Sequence, residues 1–132
     1  MAEKEEHTQR FTFGREEKLK SKKLIELLFS KGKAVSSNPI RLIYLLQDNT
    51  GQAKPQALFS VSKRNFKKAV DRNRLKRQMR EAYRLNRNLY FPEGEKNAYL
   101  LAFIYVAKEK IPYEILEKKL NLALERLKTG SK

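Results

Sequence analysis

Residues 97–106, NAYLLAFIYV, carry apolar side chains at both parities of an extended chain. Successive side chains of a strand point to opposite faces, so this run is stable only as a central strand covered on two sides. The rest of the chain supplies its neighbours. In Ile40–Leu46, IRLIYLL, residues Ile40, Leu42, Tyr44 and Leu46 share one face and Arg41, Ile43 and Leu45 the other. Residues 57–62, ALFSVS, read as a second strand, and Asn49, Gly51 and Pro55 mark the loop between the two.

Three helices complete the pattern. Ser21 is a candidate N-cap for a short amphipathic helix carrying Leu24, Ile25, Leu28 and Phe29, and Gly32 stands where a left-handed residue would end it. A long helix over about residues 67–87 has an apolar stripe of Leu75, Met79, Ala82, Tyr83 and Asn86. A last helix begins near Pro112, with Leu116, Leu120, Ala123, Leu124 and Leu127 on one side. The order of helix, strands, helix, strand, helix is that of an α+β chain, a single α/β sandwich domain with one central sheet. A chain of 132 residues, 40% hydrophobic, can build one modest core and not two. Residues 1–10 are polar and lack apolar periodicity, which predicts a disordered tail; the domain then runs over residues 11–132, with Phe11 and Phe13 opening the ordered part.

Charge narrows the function. Thirty Lys and Arg stand against 15 Asp and Glu, a formal net charge of +15, which calls for a polyanionic partner. Residues 63–87 alone hold 11 basic residues against Asp71 and Glu81. On a helix, Arg72, Lys76, Arg80, Arg84 and Arg87 recur at spacings that form one positive ridge opposite the apolar stripe. A solvated face held by ion pairs would need alternating signs, which this segment lacks. Materials for self-contained hydrolysis are scarce: no Cys, two Asp, and a single His, His7, in the polar tail. No catalytic residue and no metal ligand is therefore assigned to this chain. The longest apolar run is too short to span a bilayer as a helix, and the absence of Cys fits a reducing cytoplasm.

The run Ser60-Val61-Ser62-Lys63-Arg64, followed after a short gap by residues 69–83, AVDRNRLKRQMREAY, resembles the Arg-Asn-Arg signature of the bacterial ribonuclease P protein subunit. Upstream, FTFGREEKLKSKKLIELLFSKGKAV is similar to that family's first helix and its exit into the first strand. The resemblance covers about residues 11–127. It implies an accessory protein whose RNA partner hydrolyses precursor tRNA, releasing the 5′ leader, with Mg²⁺ acting through the RNA and none held by the protein alone. It also implies one protein per catalytic RNA, no membrane, and a ribosomal-protein-like sandwich with a left-handed βαβ crossover, opposite to the usual hand.

Carried over residue by residue, the resemblance places Arg72, Asn73, Arg74, Lys76, Arg77 and Arg80 on a helix that faces the catalytic RNA. Guanidinium forks suit phosphate oxygens, and Asn can hold a backbone or base edge. It also implies a cleft between the first helix and the sheet for the single-stranded leader, matched by Ile25, Phe29, Tyr44, Lys63, Arg64 and Lys68. Relatives can carry an aromatic residue where this chain has Ile25. Such a cleft needs apolar or aromatic walls for unstacked bases and cations for the backbone.

Each assignment has a plainer alternative. Phe29 lies on the apolar side of its helix, where core packing is the ordinary role, and Tyr44 suits an ordinary sheet face with a wet hydroxyl. Ser62-Lys63 does not make a nucleophile pair, because neighbours on a strand point apart. A helix-turn-helix is disfavoured by the lack of a short helix and tight turn before the basic segment. A ribosomal or general double-stranded RNA-binding protein needs only the basic ridge, whereas a nuclease acting alone needs groups this composition nearly excludes.

Overall fold

The computed structural model describes residues 17–47, 55–92 and 98–129. The expected tail, His7, Phe11 and Phe13 lie outside them, as do Asn49 and Gly51. Element α1 is Lys22–Lys31, followed by β1 (Lys33–Ser37), β2 (Ile40–Leu46), β3 (Gln56–Val61), α2 (Ala69–Tyr90), β4 (Tyr99–Tyr105) and α3 (Tyr113–Thr129). The strands form one sheet in the order β1-β2-β4-β3. β1 pairs β2 and β2 pairs β4 antiparallel, while β3 and β4 run parallel as neighbours joined through α2.

The doubly apolar segment is central, as its pattern requires. Leu101, Phe103 and Tyr105 of β4 point into the larger core beneath α2 and α3; Leu100 and Ala102 point into a smaller one beneath α1. Phe103 stacks on Phe59 of β3 with ring centroids 5.3 Å apart and an interplanar angle of 10°, and Tyr83 of α2 lies 5.3 Å from the same ring. All five apolar positions expected on the last helix are buried: Leu116, Leu120, Ala123, Leu124 and Leu127.

Two local expectations change. Ser21 caps α1 as foreseen, its hydroxyl accepting from the Leu24 N–H at 3.3 Å. Gly32 does end the helix, but at φ −73° and ψ 161° it is extended and not left-handed. Glycine is needed there for close approach: an added Cβ would collide with the Leu28 carbonyl and stand 3.0 Å from both Ile43 Cγ2 and the Tyr44 carbonyl. The long helix begins at Ala69 instead of Lys67, because Lys68 is still extended, and it continues to Tyr90.

The start of the described chain is stapled to the sheet edge. Leu19 is buried, its N–H donates to the Ala57 carbonyl at 3.0 Å, and Lys18 forms a parallel bridge with Ala57. Beside this bridge Glu17 Oε1 meets Arg87 Nη1 at 2.6 Å, with side chains only 3% and 6% exposed. Arg87 therefore belongs to the interior and not to the positive ridge. Removing one partner of a buried pair strands the other charge away from water, so Glu17→Ala should lower the unfolding free energy by about 3–5 kcal/mol in urea titrations. Glu17→Leu combined with Arg87→Met should recover most of that loss, and a single-variant loss under about 1 kcal/mol would show that the pair behaves as a solvated one.

Candidate nucleic-acid interface

Residues 62–68, between β3 and α2, are held on all sides. The Ser62 carbonyl accepts from the Phe66 N–H at 3.1 Å, and the Ser62 hydroxyl accepts from the Arg64 N–H at 3.0 Å. Asn65 Nδ2 donates to the Val106 and Ala107 carbonyls at 3.3 and 3.4 Å, tying the loop to the end of β4. Phe66 is buried edge-on against Tyr105, with centroids 5.8 Å apart. Arg72 reaches back from α2, its Nη1 donating to the Phe66 and Lys67 carbonyls at 2.8 and 2.9 Å. Lys63, Arg64, Lys67 and Lys68 are thus exposed on a backbone that is already ordered, which lowers the entropy lost when they meet an anion.

The positive face of α2 differs from the ridge expected opposite the stripe. A step of four residues overshoots a full helical turn by about 40°, so a row built on that step winds around the helix. Arg72 is accordingly half-buried and engaged with the loop, Lys76 is half-buried, and Arg80 lies on a flank with its guanidinium 5.9 Å from the Phe59 ring centroid. Arg84 forks onto Glu81, with Nε and Nη2 donating at 3.2 and 2.5 Å, and Arg87 is inside. The outermost face is made of Val70, Asn73, Arg74 and Arg77, all exposed. Asn86, placed on the apolar stripe by its spacing, is half-buried and donates to the Ala82 carbonyl and to Glu117 Oε2, both at 2.8 Å.

Both acids of the segment are paired. Lys110 Nζ donates to Asp71 Oδ1 at 2.8 Å and holds the Asp71 carboxyl below its ordinary range; the Arg84 guanidinium does the same for Glu81. Arg74 also draws the Asp71 carboxyl downward electrostatically, but neither acid forms an ion pair with Arg74 or Arg77. Burial pushes the Tyr83 phenol upward, so it stays neutral beside the Glu17–Arg87 pair.

The expected leader cleft is only partly assembled. Phe29 is 49% exposed, so it is not the core residue its helical position suggested. Ile25, on the same flank of α1 at i,i+4 spacing, is half-buried against the smaller core. Tyr44, however, lies at the parity of Leu42 and packs with the larger core, on the sheet face away from α1. The β2 residues that face α1 are Ile43 and Leu45. Phe29 and Tyr44 are therefore separated by the sheet and cannot sandwich one base. Past the end of α1's coverage, Ser36, Arg41, Ile104 and Ser60 form a row across all four strands on the α1 side. Ser36 and Arg41 are exposed and Ile104 and Ser60 half-buried, leaving a shallow trough that ends at the loop bearing Lys63 and Arg64. Arg41, Ile43 and Ile104 share the α1-side face of the sheet and were not singled out by resemblance; strand alternation was the signal that could have found them.

Among the described residues, no three of His, Cys, Asp and Glu gather where a metal ion could be held, and no helix is long and apolar enough to cross a membrane.

A family profile described as Ribonuclease P matches residues 13–128. The ribonuclease P protein component of Porphyromonas gingivalis is 37% identical over 120 residues, covering 88% of each chain. That of Chlorobaculum tepidum is 36% identical over 124 residues, covering 82% of this chain and 80% of its own. Among solved structures, the RNase P protein of Staphylococcus aureus matches with a TM-score of 0.68 at 21% identity, over 85% of this chain and 95% of that one. The RNase P protein from Thermotoga maritima matches with a TM-score of 0.66 at 23% identity, over 83% and 96%. These two share the fold.

The geometry sorts the arginines by expected effect. Arg74→Ala and Arg77→Ala should each leave the thermal midpoint unchanged and lower the salt slope of RNA binding by somewhat under one unit. Arg72→Ala should in addition speed amide hydrogen exchange in residues 63–68, because it releases two carbonyl tethers. An Arg72→Ala protein with unchanged loop protection would show that this guanidinium does not order the loop.

Proposed function

Because this chain belongs to the ribonuclease P protein family, we propose that it is the protein subunit of a ribonucleoprotein that removes the 5′ leader of precursor tRNA, its RNA partner performing the hydrolysis. The observation that carries this reading is the pairing of two surfaces on one small domain. One is the ordered cationic loop with the outer face of α2; the other is the trough beside α1, lined by Arg41, Ile43 and Ile104, with Phe29 exposed on that helix.

The first surface suits the RNA subunit. Arg74 and Arg77 present guanidinium forks for phosphate oxygens, Asn73 offers both a donor and an acceptor, and Lys76 and Arg80 extend the charge along the flank. The second suits a single strand, because unstacked bases can lie on Phe29 and the sheet floor while phosphates turn toward Lys63, Arg64, Lys68 and Arg41. The protein would thus hold the leader and the RNA subunit at once, lowering the cost of bringing the scissile phosphate to the reacting site. Mg²⁺ carried by the RNA would neutralise phosphate charge and activate water there. One protein per RNA, acting in the cytoplasm, completes the proposal.

Two measurements test it. Purified protein alone should not cleave precursor tRNA, and addition of the cognate RNA with Mg²⁺ should produce cleavage at the mature 5′ end; turnover by RNA-free protein after stringent removal of contaminating ribonucleases would overturn the accessory role. In the holoenzyme, Phe29→Ala should weaken binding of precursor tRNA by roughly ten-fold, since a base–aromatic contact is worth about 1–3 kcal/mol, and leave mature tRNA unaffected. Tyr44→Ala, on the other sheet face, should not discriminate between the two RNAs. Equal losses for both RNAs with Phe29→Ala would remove the leader from the trough.

A further inference from the structure

The segment entering α1 carries a second concentration of charge that the two surfaces above do not use. Lys18, Lys20, Lys22 and Lys23 are all exposed, and among the described residues none has a carboxylate partner. Lys22 and Lys23 occupy the first turn of α1, which contains no acidic residue. Positive charge there opposes the helix dipole, so the arrangement works against the helix it sits on.

This segment is nevertheless rigidly placed. Leu19 is buried and bonded to the Ala57 carbonyl, and the adjacent Glu17–Arg87 pair anchors the backbone to α2. The bridge between Lys18 and Ala57 aligns Lys18 with the sheet face on which Phe59 lies, two residues along β3. Two residues along a strand is about 7 Å and one strand across about 5 Å. Arg80, whose guanidinium covers the Phe59 ring, lies over the same sheet face toward that edge, with Lys76 one turn away on α2.

We propose that Lys18 and Lys20 at the β3 edge, with Lys22 and Lys23 where the chain turns into α1, form a cationic band that binds the sugar–phosphate backbone of the RNA partner. This rests on the reading that the chain has an RNA partner, and it adds a contact region distinct from the outer face of α2 and from the trough. A band of exposed, pre-positioned cations along a strand edge matches a backbone in charge without reading its sequence. The recovered electrostatic energy on binding offsets the repulsion that the free protein carries.

The test uses the full-length chain and its cognate RNA subunit. A fourfold variant, Lys18→Ala with Lys20→Ala, Lys22→Ala and Lys23→Ala, should keep or raise the thermal midpoint, bind the RNA at least about ten-fold more weakly at low salt, and lower the salt slope by about 2–3 units. Lys22→Glu with Lys23→Glu should give a larger loss of affinity with no loss of stability. Wild-type affinity and slope in the fourfold variant, while Arg74→Ala with Arg77→Ala reduces both, would overturn the band and leave the α2 interface standing. Affinity lost with an unchanged salt slope would also overturn it. If neither variant weakens binding, the reading of an RNA partner fails with it.

Discussion

β4 is hydrogen-bonded on both edges and apolar on both faces, so both faces of the sheet had to be closed before the chain could leave water. The two closures are unequal. α2 and α3, of 22 and 17 residues, cover one face over its length. α1 has ten residues and covers only the end of the other, where Leu45, Leu58 and Leu100 lie. What α1 leaves uncovered is the trough, so the proposed leader surface is a by-product of how the central strand is buried. Ile104, at the end of that strand, shows the transition: it has the parity of Leu100 and Ala102 but remains half-exposed.

The same helix that closes the larger core also carries the densest charge, which makes the free protein a compromise. Leu75, Met79, Ala82 and Tyr83 supply the burial that holds α2, while Arg74 and Arg77 on its outer side repel one another. Some cations are offset locally: Arg84 by Glu81, Lys110 by Asp71, Arg80 by the Phe59 ring, and Lys128 by the Phe91 and Tyr99 rings at 5.4 and 5.7 Å. The remainder waits for an external anion. Any ligand that binds only the folded form stabilises it by mass action, so a polyanionic partner would supply stability that the chain's own charge withholds.

Where periodicity alone decides burial, the sequence was a good guide. The α3 stripe, the alternation of β2 and the centrality of β4 all follow from spacing, because a helix or strand buries a face whatever the partner. What escaped needed a partner distant in sequence or a face chosen by the whole sheet. Arg87 looks like the end of a basic ridge until Glu17, 70 residues away, is brought against it. Arg72 looks like a free member of the ridge until the loop carbonyls close on its Nη1. Tyr44 is matched to the cleft by resemblance, but alternation along β2 puts it on the sheet face away from α1, toward which Ile43 and Leu45 look. The Arg-Asn-Arg segment itself was recognisable because its identity lies in local order, which folding does not rearrange.

The two arginines that left the expected ridge explain how the rest of it is presented. Arg72 ties the first turns of α2 to the loop that precedes it, and Arg87 ties its last turns to the segment that precedes α1. A helix held only by an apolar stripe can roll slightly on its neighbours, because hydrophobic contact is non-directional. Directed hydrogen bonds and a buried ion pair at opposite ends suppress that roll. Asn73, Arg74 and Arg77 then project at fixed angles between two tethers, and the loop cations keep a constant relation to them. A folded polyanion is matched best by cations at fixed spacing, and the tethers made by Arg72 and Arg87 set that spacing for Asn73, Arg74 and Arg77.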